Sequence, residues 1–202
     1  MSRIKSKAEL KFYLMADMMM NRGCFKKNIK MKLRDLIAPD HVMDYLIAMR
    51  KASYYRDNTL AGIYYRLKFR RLGRKLSFSI EADSFGYGLL IPHYGTIVVG
   101  ENQIGNYAVL QTSTCISGNH KIIGDGLYMA TGAKITSKIV LGDNVTVGAN
   151  SVVNKSYPEG NVFIAGIPAE FKKNTEAWYI RDGVDFYEKV RRIEELRRKL
   201  AL

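Results

Sequence analysis

The sequence predicts an all-β parallel β-helix with helices at both ends. Three observations carry this: a six-residue return of aliphatic side chains from Phe85 to Val153, a basic helix-period segment before it, and an amphipathic run after it. The beat reads Phe85-Gly86, Ile91-Pro92, Ile97, Ile104-Gly105, Leu110-Gln111 and Ile116-Ser117. After a one-residue slip it continues through Ile123-Gly124, Met129-Ala130, Ile135-Thr136, Leu141-Gly142, Val147-Gly148 and Val153-Asn154. A helix needs an apolar return every 3.6 residues and a half-buried strand every second one. A period of six fits neither, but it fits a coil in which each hexad supplies one short strand and one corner, three hexads to a triangular turn. The aliphatic residue points into the prism and the next position is small because the chain bends there. A second inward site four residues on is small or β-branched: Ala108, Thr114, Ala133, Val145 and Ser151. Twelve hexads imply roughly four coils, above the roughly three that a continuous core requires.

Residues 1–76 read as helices. Ser6 caps one that runs to Gly23, Pro39-Asp40 opens a second through Val42, Tyr45, Leu46 and Met49, and Asn58 caps a third that ends at Gly73. The apolar patch Phe12 to Met20 is interrupted by Asp17 and falls short of the ~18 residues that suggest a membrane span. No cleavage site follows it, and the chain is expected to be soluble. Residues 77–171 hold the repeats, with Pro158, Gly160 and Ala165-Gly166-Ile167-Pro168-Ala169 marking the exit. Residues 172–202 form the tail, where Val184, Tyr187, Val190, Ile193, Leu196 and Leu200 recur at helical spacing.

The net charge of +13 is not spread evenly. Residues 1–76 contain 19 Lys/Arg against 6 Asp/Glu, whereas the remainder contains 13 of each. The β-helix is therefore not a polycation. The third helix carries Arg66, Lys68, Arg70, Arg71, Arg74 and Lys75 among Tyr64, Tyr65 and Phe69. This pattern suits a solvated face on an oligomerising helix, or a patch drawn to anionic lipids or a phosphorylated glycan carrier. No nucleic-acid motif accompanies it. Two cysteines, Cys24 and Cys115, are too few for a disulfide framework and point to a reducing cytoplasm.

Two of the three histidines fall at interruptions of the beat. His93 lies in Ile91-Pro92-His93-Tyr94-Gly95-Thr96-Ile97-Val98-Val99-Gly100, and His120 lies at the slip in Ser117-Gly118-Asn119-His120-Lys121. An extra residue must leave the regular coil as a bulge and can carry a side chain off the prism wall. His41, in the helical segment, reads as structural.

The hexad array ending in Asn144-Val145-Thr146-Val147-Gly148-Ala149-Asn150-Ser151-Val152-Val153, with its AGIPA exit, resembles the left-handed β-helix acyltransferases over about half the chain. The fold implied is an all-β left-handed parallel β-helix with an N-terminal α-helical segment and a C-terminal helix. The run His93-Tyr94-Gly95-Thr96-Ile97-Val98-Val99-Gly100-Glu101 looks most like the serine acetyltransferase branch, whose corresponding histidine is the catalytic base. His120, followed by Lys121-Ile122 and Gly132-Ala133-Lys134-Ile135, resembles that branch's second active-site histidine. The chain departs from the branch at Pro92 and Asn119, where an aspartate and an arginine are usual, and at Phe78, where an aspartate orients the base. Glu81 and Asp83 are the nearest carboxylates in the sequence, and which of them, if any, orients His93 is left open.

Loss of the arginine fork disfavours a carboxylate-bearing acceptor. The expected activity is therefore acetyl-CoA-dependent O-acetylation of a sugar or polysaccharide precursor in polysaccharide biosynthesis. Serine O-acetylation in cysteine synthesis and a non-catalytic trimeric scaffold are the alternatives. A zinc hydratase would need three converging histidines, and the repeat region has two. The resemblance implies that His93, neutral near pH 7 if its pKa is ordinary, takes the acceptor proton while His120 assists. Cys115 is read as a buried small residue rather than a nucleophile, and no permanently bound cofactor is expected. Acetyl-CoA would lie between two subunits of a homotrimer along Gly118, Thr131, Gly132, Ala149 and Pro168, with Lys155, Lys172 and Lys173 toward its phosphates. Asn119, Tyr94 and Glu81 would meet the acceptor.

Overall fold

A computed structural model describes residues 3–56 and 59–202; the expected cap Asn58 lies outside them. Four helices precede the coil: α1 (Lys7–Arg22), α2 (Ile29–Ile37), α3 (His41–Tyr54) and α4 (Leu60–Leu76). Ser6 caps α1 through Glu9 N–H, and Gly23 ends it in the left-handed region. Asp40 caps α3 and Thr59 caps α4. Helix α4 runs through Gly73 to Leu76 instead of ending at the glycine. Gly73 is a contact point: a Cβ there would sit 2.8 Å from Phe78 O and 3.3 Å from the Tyr45 ring. Helix α2 was not foreseen: its apolar repeat, Ile29, Leu33, Leu36 and Ile37, runs over nine residues, short of the roughly 11–18 over which a helical period is read.

The repeats build a triangular prism. Its first face stacks β1 (Phe78–Ile80), β2 (Ile97–Val99), β5 (Thr114–Ile116), β8 (Lys134–Ile135) and β11 (Val152–Val153) in that order. The second face holds β3 (Gln103–Ile104), β6 (Ile122–Ile123) and β9 (Val140–Leu141). The third holds β4 (Val109–Leu110), β7 (Tyr128–Met129), β10 (Thr146–Val147) and β12 (Val162–Gly166), closed by the antiparallel β13 (Ala169–Asn174). All other pairings are parallel, such as Ile122↔Val140 and Val109↔Tyr128. The coil makes about five turns rather than four. The extra one begins at Phe78, ahead of the first hexad, where β1 pairs with β2.

The prism interior is the stack the beat describes. Phe85, Ile97, Leu110, Ile116, Met129, Ile135 and Val147 are fully buried, and so are Ala108, Thr114, Ala133, Val145 and Ser151 at the second inward site. Helices α3 and α4 pack on each other and cover the open end of the coil, with Tyr45 against Phe69 and Phe78. Two further helices, α5 (Trp178–Arg181) and α6 (Val184–Lys199), return along the outside. Helix α6 buries Val190 and Ile193 on the side that meets α1. Among the described residues no helix is long and apolar enough to cross a membrane.

Candidate active site

The first face has two edges, and the sequence irregularities fall one on each. The upstream edge is the column of turns entering β2, β5, β8 and β11; the downstream edge is the column leaving them. Leu90 stacks on Val109 and Val99 stacks on Ile116. The chain therefore takes nine residues in the upper coil where the next coil takes seven, and the two extra residues lie in the His93 turn. The beat hid them, because Ile97 stays buried while Val99 is the residue in register with Ile116. Gly95 holds this turn against the coil below at φ 134°, where a Cβ would lie 2.2 Å from Thr112 Oγ1. On the downstream edge, Val99 to Ile104 spans five residues and Ile116 to Ile123 spans seven. The added length carries Gly118, Asn119 and His120, with His120 at φ 64°. Both imidazoles are exposed.

A cavity of about 410 Å³ opens beside His93. Pro92, His93 and Tyr94 form one wall; Arg22, Arg34, Asp40, His41 and Leu76 line the rest. Arg22 is ion-paired with Asp40, and His41 Nε2 lies 2.7 Å from Lys75 Nζ. Nothing in the residue pattern places His41 or the two arginines here. They arrive from the end of α1, from within α2 and from the start of α3, which packing brings together and no motif announces.

The two nearest carboxylates are engaged away from His93. Asp83 accepts from Ser53 Oγ at 2.5 Å and from Arg56 at 2.7 Å. Glu81 follows β1 at the downstream end of the face, its N–H bonded to Val99 O, and lines a separate cavity with Arg56, Arg66 and Arg70. Phe78 is buried against Tyr45. Asn119 turns its amide oxygen onto Glu101 N–H at 2.9 Å, so it stitches one coil to the next. Lys121, beside His120, is buried and bonds to Ser117 O, and burial pushes its ammonium below the usual lysine range.

The other candidate positions divide between the edges. Thr131, Gly132 and Ala149 continue the upstream column below His93, linked by Asn150 N–H to Thr131 O and Gly132 N–H to Thr112 O. Pro168 joins that column at its foot, where Gly166 N–H bonds Ser151 Oγ at 3.0 Å. Gly118 and Lys155 belong to the downstream column with His120. Lys172 and Lys173 lie on β13 as it runs back from the hairpin turn, Lys173 opposite Phe163. Within one protomer His93 and His120 do not meet. His120 N–H bonds Glu101 O on the downstream edge, whereas His93 sits in the upstream turn, with strand β2 between the two. Among the described residues no group of three His, Cys, Asp or Glu side chains is placed to hold a metal ion.

A prism of about five turns with helices at both ends is a left-handed parallel β-helix built from hexapeptide repeats, the fold of solved serine acetyltransferases. Over 96 residues the chain is 34% identical to a serine acetyltransferase of Staphylococcus xylosus, and over 91 residues 31% identical to one of Synechococcus elongatus. The first match spans 44% of each chain and the second 41% of this chain and 37% of its relative, so less than half of the curated relatives is represented. The fold extends further. Serine acetyltransferase of Neisseria gonorrhoeae superposes with a TM-score of 0.63 at 22% identity, covering 85% of this chain and 69% of that one. A serine acetyltransferase solved in complex with CoA superposes with a TM-score of 0.58 at 21% identity, covering 82% and 69%. No family model matches the chain.

These relatives overturn the expected sugar or polysaccharide acceptor: the proteins this chain resembles in sequence and fold are named for serine. The expectation rested on the missing arginine at position 119. Since Asn119 is occupied in joining two coils, that position alone does not decide which acceptor is recognised.

Proposed function

We propose that this chain is an acetyl-CoA-dependent O-acetyltransferase that acetylates the hydroxyl of serine or a close serine-like acceptor, with His93 as general base. The observation that carries it is the placement of His93 on an inserted, glycine-pinned turn, exposed beside a cavity able to seat a small acceptor. Sequence relatives named serine acetyltransferases, and fold neighbours solved with CoA and with serine, support the choice of cosubstrate and acceptor.

The site is completed by a neighbour. In a cyclic trimer the upstream edge of one prism faces the downstream edge of the next. That arrangement joins His93, Thr131, Gly132 and Ala149 of one protomer to Gly118, His120 and Lys155 of another. Small residues along the upstream column let a pantetheine arm lie against backbone, while Lys155 is available to its phosphates. His93 removes the acceptor's hydroxyl proton as the oxygen attacks the thioester carbonyl. The tetrahedral intermediate, held by backbone N–H groups, then expels the CoA sulfur, which takes the proton from the imidazolium. His120 orients the acceptor.

The test is CoA release from acetyl-CoA with serine and with free or nucleotide-linked sugars, for the native chain and His93→Ala. Turnover with serine and a loss of about 10²–10⁴-fold in His93→Ala are expected. Sugar acetylation without serine turnover, or an unimpaired His93→Ala, contradicts the assignment.

A further inference from the structure

Among the described residues α2 is the helix with no buried side chain. Its outward stripe is Ile29, Leu33, Leu36 and Ile37, exposed by 75, 60, 80 and 90%. This i, i+4, i+7, i+8 spacing places all four on one side of the helix. At 100° per residue Lys30 and Lys32 fall on opposite flanks of the stripe, and Lys26 precedes the helix. The inward side is held by Met31, whose sulfur lies 3.9 Å from Cys24 Sγ, and by Asp35, bound to Lys27 at 2.5 Å. From Lys26 to Ile37 there are five cations and a single acid, which Lys27 already neutralises.

We infer that α2 docks the protein on an anionic lipid surface, with the aliphatic stripe in the acyl boundary and the flanking lysines among the headgroup phosphates. An apolar stripe bordered by lysines on both sides is the arrangement that lies in a membrane interface. The helix has nine residues, so it lies in the interface and does not span the bilayer. A second copy is the poorer occupant. Pairing two α2 stripes would set lysine flanks against lysine flanks, and four side chains fall well short of the roughly 800 Å² per partner that a stable interface buries. The inference is independent of the acetyl-transfer reading.

The experiment is co-sedimentation of the full chain with vesicles of phosphatidylcholine alone and with added phosphatidylglycerol, alongside sedimentation velocity without lipid. The native chain is expected to bind only the anionic vesicles, less so as salt rises. Leu36→Glu with Ile37→Glu should weaken partitioning by about tenfold or more, and so should Lys30→Glu with Lys32→Glu, with unchanged mass and melting. All four positions are exposed, so folding is spared. No binding of the native chain to anionic vesicles, or binding indifferent to both variants, overturns the inference. A smaller assembly for the Leu36/Ile37 variant assigns the stripe to a second copy and also overturns it.

Discussion

Asp17 and Arg50 form a buried ion pair, 0 and 1% exposed, with Arg50 Nε 2.8 Å from Asp17 Oδ2. Every nitrogen and oxygen of the two side chains has a hydrogen-bond partner. Asp17 Oδ1 accepts the backbone N–H groups of Gly88 and Leu89, and Arg50 donates to Phe85 O and Gly86 O. Asp17 is thus the interruption in the apolar N-terminal patch, and it ties α1, α3 and the first coil at one point. Breaking such a pair leaves an uncompensated charge in the interior, which costs about 3–5 kcal/mol. Arg50→Met is expected to lower stability by that amount in urea unfolding. An unchanged midpoint would show that the clamp is dispensable. Gly95 works at the same scale on the site: its open φ lets the His93 turn lie directly on Thr112.

Between the coil and α6 lies a polar seam. Tyr87 and Tyr107 both donate to Glu194 Oε1, at 2.8 and 2.5 Å, and Trp178 Nε1 donates to Tyr107 O at 2.8 Å. Burial pushes both phenols above their ordinary value of 10.0, and the hydrogen bonds to Glu194 push the same way. Above pH 10 the unfolded chain gives up phenolic protons that the folded one keeps, so the unfolded state binds fewer protons and stability falls as pH rises. The contribution is fully present below pH 10 and is lost progressively above it. Urea midpoints at pH 8 and pH 11 should show this decline, and Tyr107→Phe should make it shallower; a decline identical in the variant contradicts the assignment. Such seams explain what the sequence could and could not disclose. The prism was legible because stacked aliphatics must recur at its period, and α1 and α6 because their buried sides do so at helical spacing. Helix α2 was not, since four apolar positions over nine residues are too short a run to mark a helix by period alone. The fates of Asp83 and Asn119 were hidden too: both depend on neighbours distant in sequence, Ser53 and Arg56 for one, Glu101 for the other.

At the scale of the whole molecule, the regular hexads set the walls and the irregular turns carry the two histidines on which the proposed chemistry rests. His93 was legible as a motif, yet its two-residue insertion emerges only from the register of β2 on β5. The two edges divide the candidate residues so that neither carries a complete site, which is why the proposed assembly is a trimer with shared sites. The most direct measurement is serine-dependent CoA release by particles co-assembled from His93→Ala and His120→Ala chains. Each variant alone should be inactive or nearly so, while mixed particles contain some interfaces with both histidines intact and should recover part of the native turnover. Mixed particles as inactive as the parents, or a His120→Ala chain as active as the native one, would contradict a site shared between the upstream edge of one protomer and the downstream edge of its neighbour.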